Sequence, residues 1–185
     1  MLVSWDVPPP RTKDRDALEL LASIMTEGQS SRLNKRMVDQ DKVALQAQMI
    51  TGFPIPTYGP GQLMTLVIPA NGVEAAKARE VLWEEIQLVQ SKGVSKKELD
   101  KARAKRKFEY VNSLGNTLFK AMELATYETF FGGADKFIGD YKRYDAITVK
   151  DIQRVAQEYL TVDKSVTFDI KPGAGGMGGM MGGMN

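Results

Sequence analysis

Histidine and cysteine are both absent from this chain of 185 residues. Without histidine there is no imidazole base, no Ser-His or Cys-His nucleophile pair and no H-x-x-E-H metal site. Without cysteine there is no thiolate nucleophile, disulfide or zinc knuckle. Most hydrolytic and redox chemistry is thereby excluded, and only an all-carboxylate centre stays open. An excess of charge of either sign is also lacking: 25 Lys and Arg stand against 23 Asp and Glu, a net charge of +2. No strong overall attraction to nucleic acid follows from that balance, although a local basic patch remains available. No apolar run reaches the length of a membrane span. Met1 leads straight into Leu2-Val3-Ser4-Trp5, with no basic n-region, apolar h-region or cleavage site of a signal peptide. The lack of cysteine suits a reducing cytosol and a disulfide-free periplasmic protein equally.

What is present is ordinary for a soluble globular domain: 43% hydrophobic and 26% charged residues in 20.5 kDa, enough for one substantial core. Leu2–Val7 alternates apolar and polar residues and stops at Pro8-Pro9-Pro10, as a strand ends where N–H donors run out. A helix is expected from about Asp14 to Thr26, with Leu18, Leu20, Leu21, Ile24 and Met25 as its apolar side and Gly28 as its C-cap. A short helix over Ser31–Val38 follows. Next come a strand over Val43–Thr51, with Val43, Leu45, Ala47 and Met49 facing one way, a turn over Gly52–Gly61, and an antiparallel partner over Gln62–Pro69. Beyond them the chain turns helical. Asn71 with Glu74 and Ser95 with Glu98 read as capping boxes, the first opening a helix to Gly93. Ala104, Phe108, Val111, Leu118, Met122 and Ala125 step by three or four, with Gly115 in the remaining slot and dividing two helices. Asp135–Tyr144 is expected to be helical, Thr148 with Asp151 heads a helix to Leu160, and Val166–Ile170 closes as a strand. The order implies an α+β fold with helices against one face of a largely antiparallel sheet. Residues 1–172 form the domain in this reading, and the Gly/Met-rich stretch 173–185 is expected to be a disordered tail. Its Gly-Gly-Met repeats resemble the flexible end of bacterial chaperonins by composition, and they suggest a natural terminus. A strand starting directly at Met1 suggests, at the other end, a domain excised from a longer protein.

Three constellations invite functional readings. Lys96, Lys97, Lys101, Arg103, Lys105, Arg106 and Lys107 could track phosphates, but no aromatic interleaving accompanies them, so a solvated face is the better reading. Gly28-Gln29-Ser30-Ser31-Arg32 could cradle a phosphate, yet it lacks the Walker lysine and follows a helix; a corner with a serine capping the next helix fits better. Glu84-Glu85 and Asp39/Asp41 read as exposed charge, since neighbours on a helix point about 100° apart. Trp5, Trp83, Tyr127, Phe130 and Phe131 read as core.

Several segments together resemble the C-terminal domain of the pitrilysin/insulinase family of zinc peptidases, which includes mitochondrial processing peptidases. Leu2–Pro8 is similar to the opening strand, Asp16-Ala17-Leu18 through Gly28-Gln29-Ser30-Ser31-Arg32-Leu33 to a helix followed by S-S-R-L, and Leu99-Asp100-Lys101-Ala102-Arg103 to an E-L-x-x-A-K helix start. Ile147-Thr148-Val149-Lys150-Asp151-Ile152 with Ala156 and Tyr159-Leu160 resembles its close. The resemblance implies a layered α+β domain beside a separate zinc-bearing domain that carries H-x-x-E-H. Some family members contribute from this domain an arginine, and a tyrosine seven residues later, to hold the substrate carbonyl. Aligned on Ser31-Arg32-Leu33, those slots fall on Val38 and Leu45, which cannot donate a hydrogen bond; Arg36 has Val43 seven residues on. No catalytic, cofactor-binding or metal residue is therefore assigned to this chain, and zinc is expected in the partner domain. The expected function is a non-catalytic domain of a zinc metallopeptidase, forming chamber wall and docking surface for a partner domain and a peptide substrate. The other reading is a non-proteolytic scaffold subunit of the same fold. No nucleic acid and no membrane span are expected. The compartment is left open, with the periplasm favoured because bacterial family members often work there.

Overall fold

The computed structural model describes residues 1–52 and 58–170. Four strands form one antiparallel sheet in the order β2-β3-β1-β4: β1 (Leu2–Val7), β2 (Ala44–Thr51), β3 (Gly61–Pro69) and β4 (Ser165–Phe168). Alternation gives β1 two distinct faces. Val3, Trp5 and Val7 point into the core, where they meet Leu63 and Val67 of β3 and Ala47 and Met49 of β2. Helices α1 (Lys13–Thr26), α2 (Ala75–Lys92) and α5 (Val149–Tyr159) cover that side, so the expected α+β layering is observed. Trp5 is fixed twice, by its indole N–H donating to the Thr161 carbonyl at 3.1 Å and by an edge-on contact with Trp83 at 5.7 Å.

Local signals account for most helix ends. Thr12 caps α1 by accepting from the Arg15 amide, and Gly28 beyond it takes φ +84°. The Ser95–Glu98 and Thr148–Asp151 capping boxes both form, opening α3 (Lys96–Leu114) and α5. Asn71 and Glu74 make none. The chain turns at Gly72, Glu74 is itself the N-cap without a side-chain bond, and α2 starts at Ala75. Gly115 does divide the long helical run: α3 ends at Leu114, and Asn116 caps α4 (Thr117–Phe131) through its side chain.

Other departures have visible causes. The short helix after the corner is a π-helix over Asn34–Gln40, whose wide turn closes through Asp41 N–H to Arg36 and Val43 N–H to Met37. No serine caps it; the Ser31 hydroxyl is buried without a hydrogen-bond partner among the described residues. In β2 a bulge between Ala44 and Gln46 breaks the alternation, so Leu45 faces solvent at 60% exposure instead of joining Ala47 and Met49. Gly139, at φ +78°, splits the expected helix over Asp135–Tyr144 into two 3-10 segments, Ala134–Phe137 and Asp140–Ala146. The final strand is shorter than expected, and Phe130 is exposed rather than core. The middle of the Gly52–Gly61 turn and the 173–185 tail lie outside the described residues.

Candidate functional site

The corner after α1 shows how its polar residues are used. Ser31 N–H donates to the Gly28 carbonyl at 3.0 Å, which folds the chain back and aims Arg32 at the start of α3. The guanidinium donates to both Glu98 oxygens, at 2.7 and 3.1 Å, and to the Gly93 carbonyl at 3.2 Å. Glu98 is held at about 2, chiefly by the Arg32 hydrogen bonds and also by the Ser95 backbone and hydroxyl. With its fork filled by a protein carboxylate and Lys101 bonded to Ser30, this corner clamps α1 to α3 and leaves no free cradle for phosphate.

Six of the seven basic side chains in the segment 96–107 are bonded or stacked, and Lys97 is exposed. Lys96 and Arg103 bind Asp100, Arg103 also donates to the Tyr144, Asp145 and Ile147 carbonyls, Lys105 and Arg106 share Glu27 and Glu109, and Lys107 lies over the Tyr141 ring. Those cations fasten α3 to its neighbours. Glu84 and Glu85 diverge as helical geometry demands, one to Arg36 at 2.9 Å and the other to Arg32 at 3.6 Å. Arg36 also holds Asp41 at 2.7 Å, so it points at its own loop. Val38 lies part-exposed on the π-helix and Leu45 at the bulge of β2, and neither can donate to a carbonyl.

A buried ionic cluster escaped the sequence reading. Asp16, on α1, pairs with Arg143, which also reaches Asp140 at 2.9 Å and Glu19 at 3.6 Å; Tyr144 donates to Glu19 at 2.6 Å. Burial, reinforced by the Glu19 and Asp140 carboxylates, outweighs Arg143 and pushes Asp16 up to about 7. Arg11, at φ +64°, reaches Asp140 at 2.6 Å and lies over the Tyr127 and Phe131 rings. The one available signal was the placement of Arg15 and Asp16 at the start of a helix rich in apolar residues. Every charge here has an internal partner, so the cluster reads as a structural joint.

The sheet face opposite Trp5 is different. Cross-strand register sets Gln48, Leu66, Leu2 and Phe168 in one row and Ile50, Met64, Ser4 and Val166 in the next, with Met64 and Ser4 buried. Val166, Phe168 and Ile68 are exposed, and all three main helices lie on the other side. Apolar residues on an open face of this size are unusual for a surface left to water. As for metal, the sequence contains no histidine or cysteine, and no His, Cys, Asp or Glu trio among the described residues is placed to hold an ion. The zinc chemistry of the resembled family therefore does not fit the residues of this chain.

Comparison with known proteins agrees with this picture. The zinc protease PqqE of Helicobacter pylori is 29% identical over 174 residues, which cover 92% of this chain and 37% of that protein. The chain thus spans well under half the length of this curated relative. A solved protease structure from Helicobacter pylori superposes with a TM-score of 0.78 at 21% identity, covering 89% of this chain and 38% of that one. The inactive peptidase domain of a proposed zinc protease from Bordetella parapertussis gives 0.77 at 23% identity, covering 89% and 87% of the two chains. The resemblance read from the S-S-R-L corner and the helix starts is borne out: residues 1–106 match the peptidase M16 inactive domain, and the chain belongs to that family.

Proposed function

We propose that this chain acts as the non-catalytic domain of a zinc metallopeptidase assembly. Its open sheet face forms part of the chamber wall beside a zinc-bearing domain and supplies docking surface for that domain and for an extended peptide. The observation that carries the reading is the apolar, helix-free face through Leu2, Leu66, Val166 and Phe168. Such a face gains most when another protein surface removes it from water, at roughly 25 cal/mol per Å² of apolar area. The absence of imidazole and thiolate puts bond cleavage elsewhere in the assembly. Val38 and Leu45 make the same point about carbonyl polarisation, which must come from another domain or chain.

The test is reconstitution with a zinc-bearing domain from the parent protein or its genomic neighbour. Phe168→Glu places a charge on the open face without touching the helix-covered core. It is expected to lower co-purification and turnover together while leaving the circular dichroism of the chain unchanged. Full association and activity in that variant would remove the sheet from the interface. A scaffold without proteolysis is the second reading, with which the apolar residues in both carbonyl-holding slots are equally compatible. It predicts association with no peptide cleavage by the assembly.

A further inference from the structure

A cavity of about 400 Å³ opens between the start of α1, the end of β2 and α4. That volume, at the small end of the range for ligand sites, suits a single side chain or a small organic molecule. One part of its wall is a cation site that the chain fills itself. The Arg11 guanidinium lies 5.0 Å from the centre of the Tyr127 ring and 5.3 Å from that of Phe131, and Asp140 meets its charge at 2.6 Å. A carboxylate beside aromatic faces suits an organic cation, since the ring quadrupole and the anion both attract positive charge. Another part of the wall repeats those components. Phe119 lies four residues before Glu123, so the two share a face of α4, with Met122 beside them. Tyr58 completes this part of the lining, held there by stacking on Phe130 at 3.9 Å. No lysine, arginine or hydroxyl group among the described residues pairs with Glu123, and burial with the nearby Asp140 charge pushes its carboxyl above its ordinary value. A part-buried carboxylate in that position costs free energy that a partner cation recovers. The guanidiniums in the lining are already paired, Arg15 with Glu19 at 3.1 Å and Arg143 with Asp16, with Asp140 at 2.9 Å and with Glu19 at 3.6 Å. They therefore do not make the cavity an anion site.

We propose that this cavity binds an organic cation, a guanidinium or primary ammonium on a short alkyl stem. Glu123 accepts its N–H groups, Phe119 and Tyr58 supply aromatic surface, and Met122 packs on the stem. The same chemistry comes from a free alkylguanidine or alkylamine and from an arginine or lysine side chain of a peptide. This site makes no use of the open sheet face and stands whether or not that face lines a chamber.

Titration of the full 185-residue chain with n-butylguanidinium, followed through its amide NMR shifts, tests the assignment. Saturable shifts are expected at Tyr58, Phe119, Met122 and Glu123, with a Kd on the order of 1 mM for a ligand of this size. n-Butylurea, which keeps the shape without the charge, should bind at least about tenfold more weakly. Glu123→Gln should lose a similar factor, and Phe119→Ala about two- to fivefold, the worth of an exposed cation–π contact. Neither side chain belongs to the buried core, so unchanged circular dichroism and thermal midpoint are expected and show that folding is intact. Asp39→Asn, at an exposed carboxylate outside the cavity, should bind as the wild type does. The peptide acetyl-Ala-Ala-Arg-Ala-Ala-amide separates the two sources. Tighter binding than n-butylguanidinium assigns the cavity to a peptide side chain, and equal or weaker binding assigns it to a free cation. The absence of saturable shifts up to about 20 mM overturns the proposal. So does n-butylurea binding as well as the cation, Glu123→Gln binding as the wild type does, or butyrate occupying the cavity in place of the cation.

Discussion

Lys42 holds φ at +53°, a left-handed conformation that costs a side-chain-bearing residue about 1–2 kcal/mol. It sits between the π-helix and β2, where the chain must reverse to bring Val43 N–H to the Met37 carbonyl. Lys42→Gly is expected to raise the unfolding free energy by about 0.5–1 kcal/mol, since the freed strain exceeds the added entropy of the unfolded glycine; urea denaturation measures it. Asp16 sets a pH dependence of known sign. Its folded-state pKa of about 7 lies above the ordinary 3.8, so its contribution to stability is complete below about 4 and is lost as pH rises through 7. The groups facing it are Arg143, Glu19, Asp140 and Arg11. Between pH 5 and 8 the thermal midpoint of the wild type should therefore fall relative to that of Asp16→Asn. A difference between the two that is constant with pH removes Asp16 as the cause. At the carbonyl-holding slots, Val38→Ala with Leu45→Ala should leave turnover of a reconstituted assembly nearly unchanged. A hundredfold loss with folding intact, the size of effect seen on removing an oxyanion donor, would falsify the view that these positions stand apart from the chemistry.

Among the elements, α1 is the one on which the fold depends most. Leu18, Leu20, Leu21 and Met25 are fully buried, between the sheet on one side and α5 and α3 on others. Leu21→Ala is expected to cost about 2–5 kcal/mol by chemical denaturation, the range for a leucine whose cavity cannot collapse. A near-zero cost would mean that the helix packs through another side. Thr26, at its end, also guards the edge of β2: its hydroxyl accepts from the Met49 amide at 3.0 Å and donates to the Ala22 carbonyl at 3.1 Å. The contrast with α3 and α4 is instructive, because all three helices carry apolar residues at helical spacing. Periodicity identifies a face that packs against something. It does not say whether that face is covered within the domain, and Phe108, Val111, Leu118 and Met122 are exposed.

Across the whole molecule, polar side chains do the joining. Arg32 with Glu98 ties the corner after α1 to α3, Arg143 with Asp16 ties α1 to the 3-10 segment Asp140–Ala146, and Arg154 with Asp14 ties α5 to α1. No histidine or cysteine remains to hold a metal ion. The isolated chain is accordingly expected to retain no stoichiometric zinc after exhaustive dialysis and to cleave no peptide. Elemental analysis with a peptidase assay checks both, and zinc at one equivalent or chelator-sensitive cleavage would contradict the division of labour proposed here.

Composition and local spacing were enough to determine the class of chain and most of its strands and helices; the family entered through the resemblance of Ser30-Ser31-Arg32-Leu33 and the helix starts. Strand alternation, capping pairs such as Ser95–Glu98 and the absence of two residue types act at short range and survive in the linear text. The sequence also sufficed to exclude an H-x-x-E-H site in this chain, which has no histidine. Only the tertiary structure decided which side of each amphipathic element meets a partner. It turned Leu45 outward through a bulge, set Asp16 against Arg143 across 127 residues of chain, and left the α3–α4 stripe in water. Those outcomes depend on strand register and on the direction in which a helix leaves the sheet. Both are set by contacts between residues far apart in sequence, which no local pattern encodes.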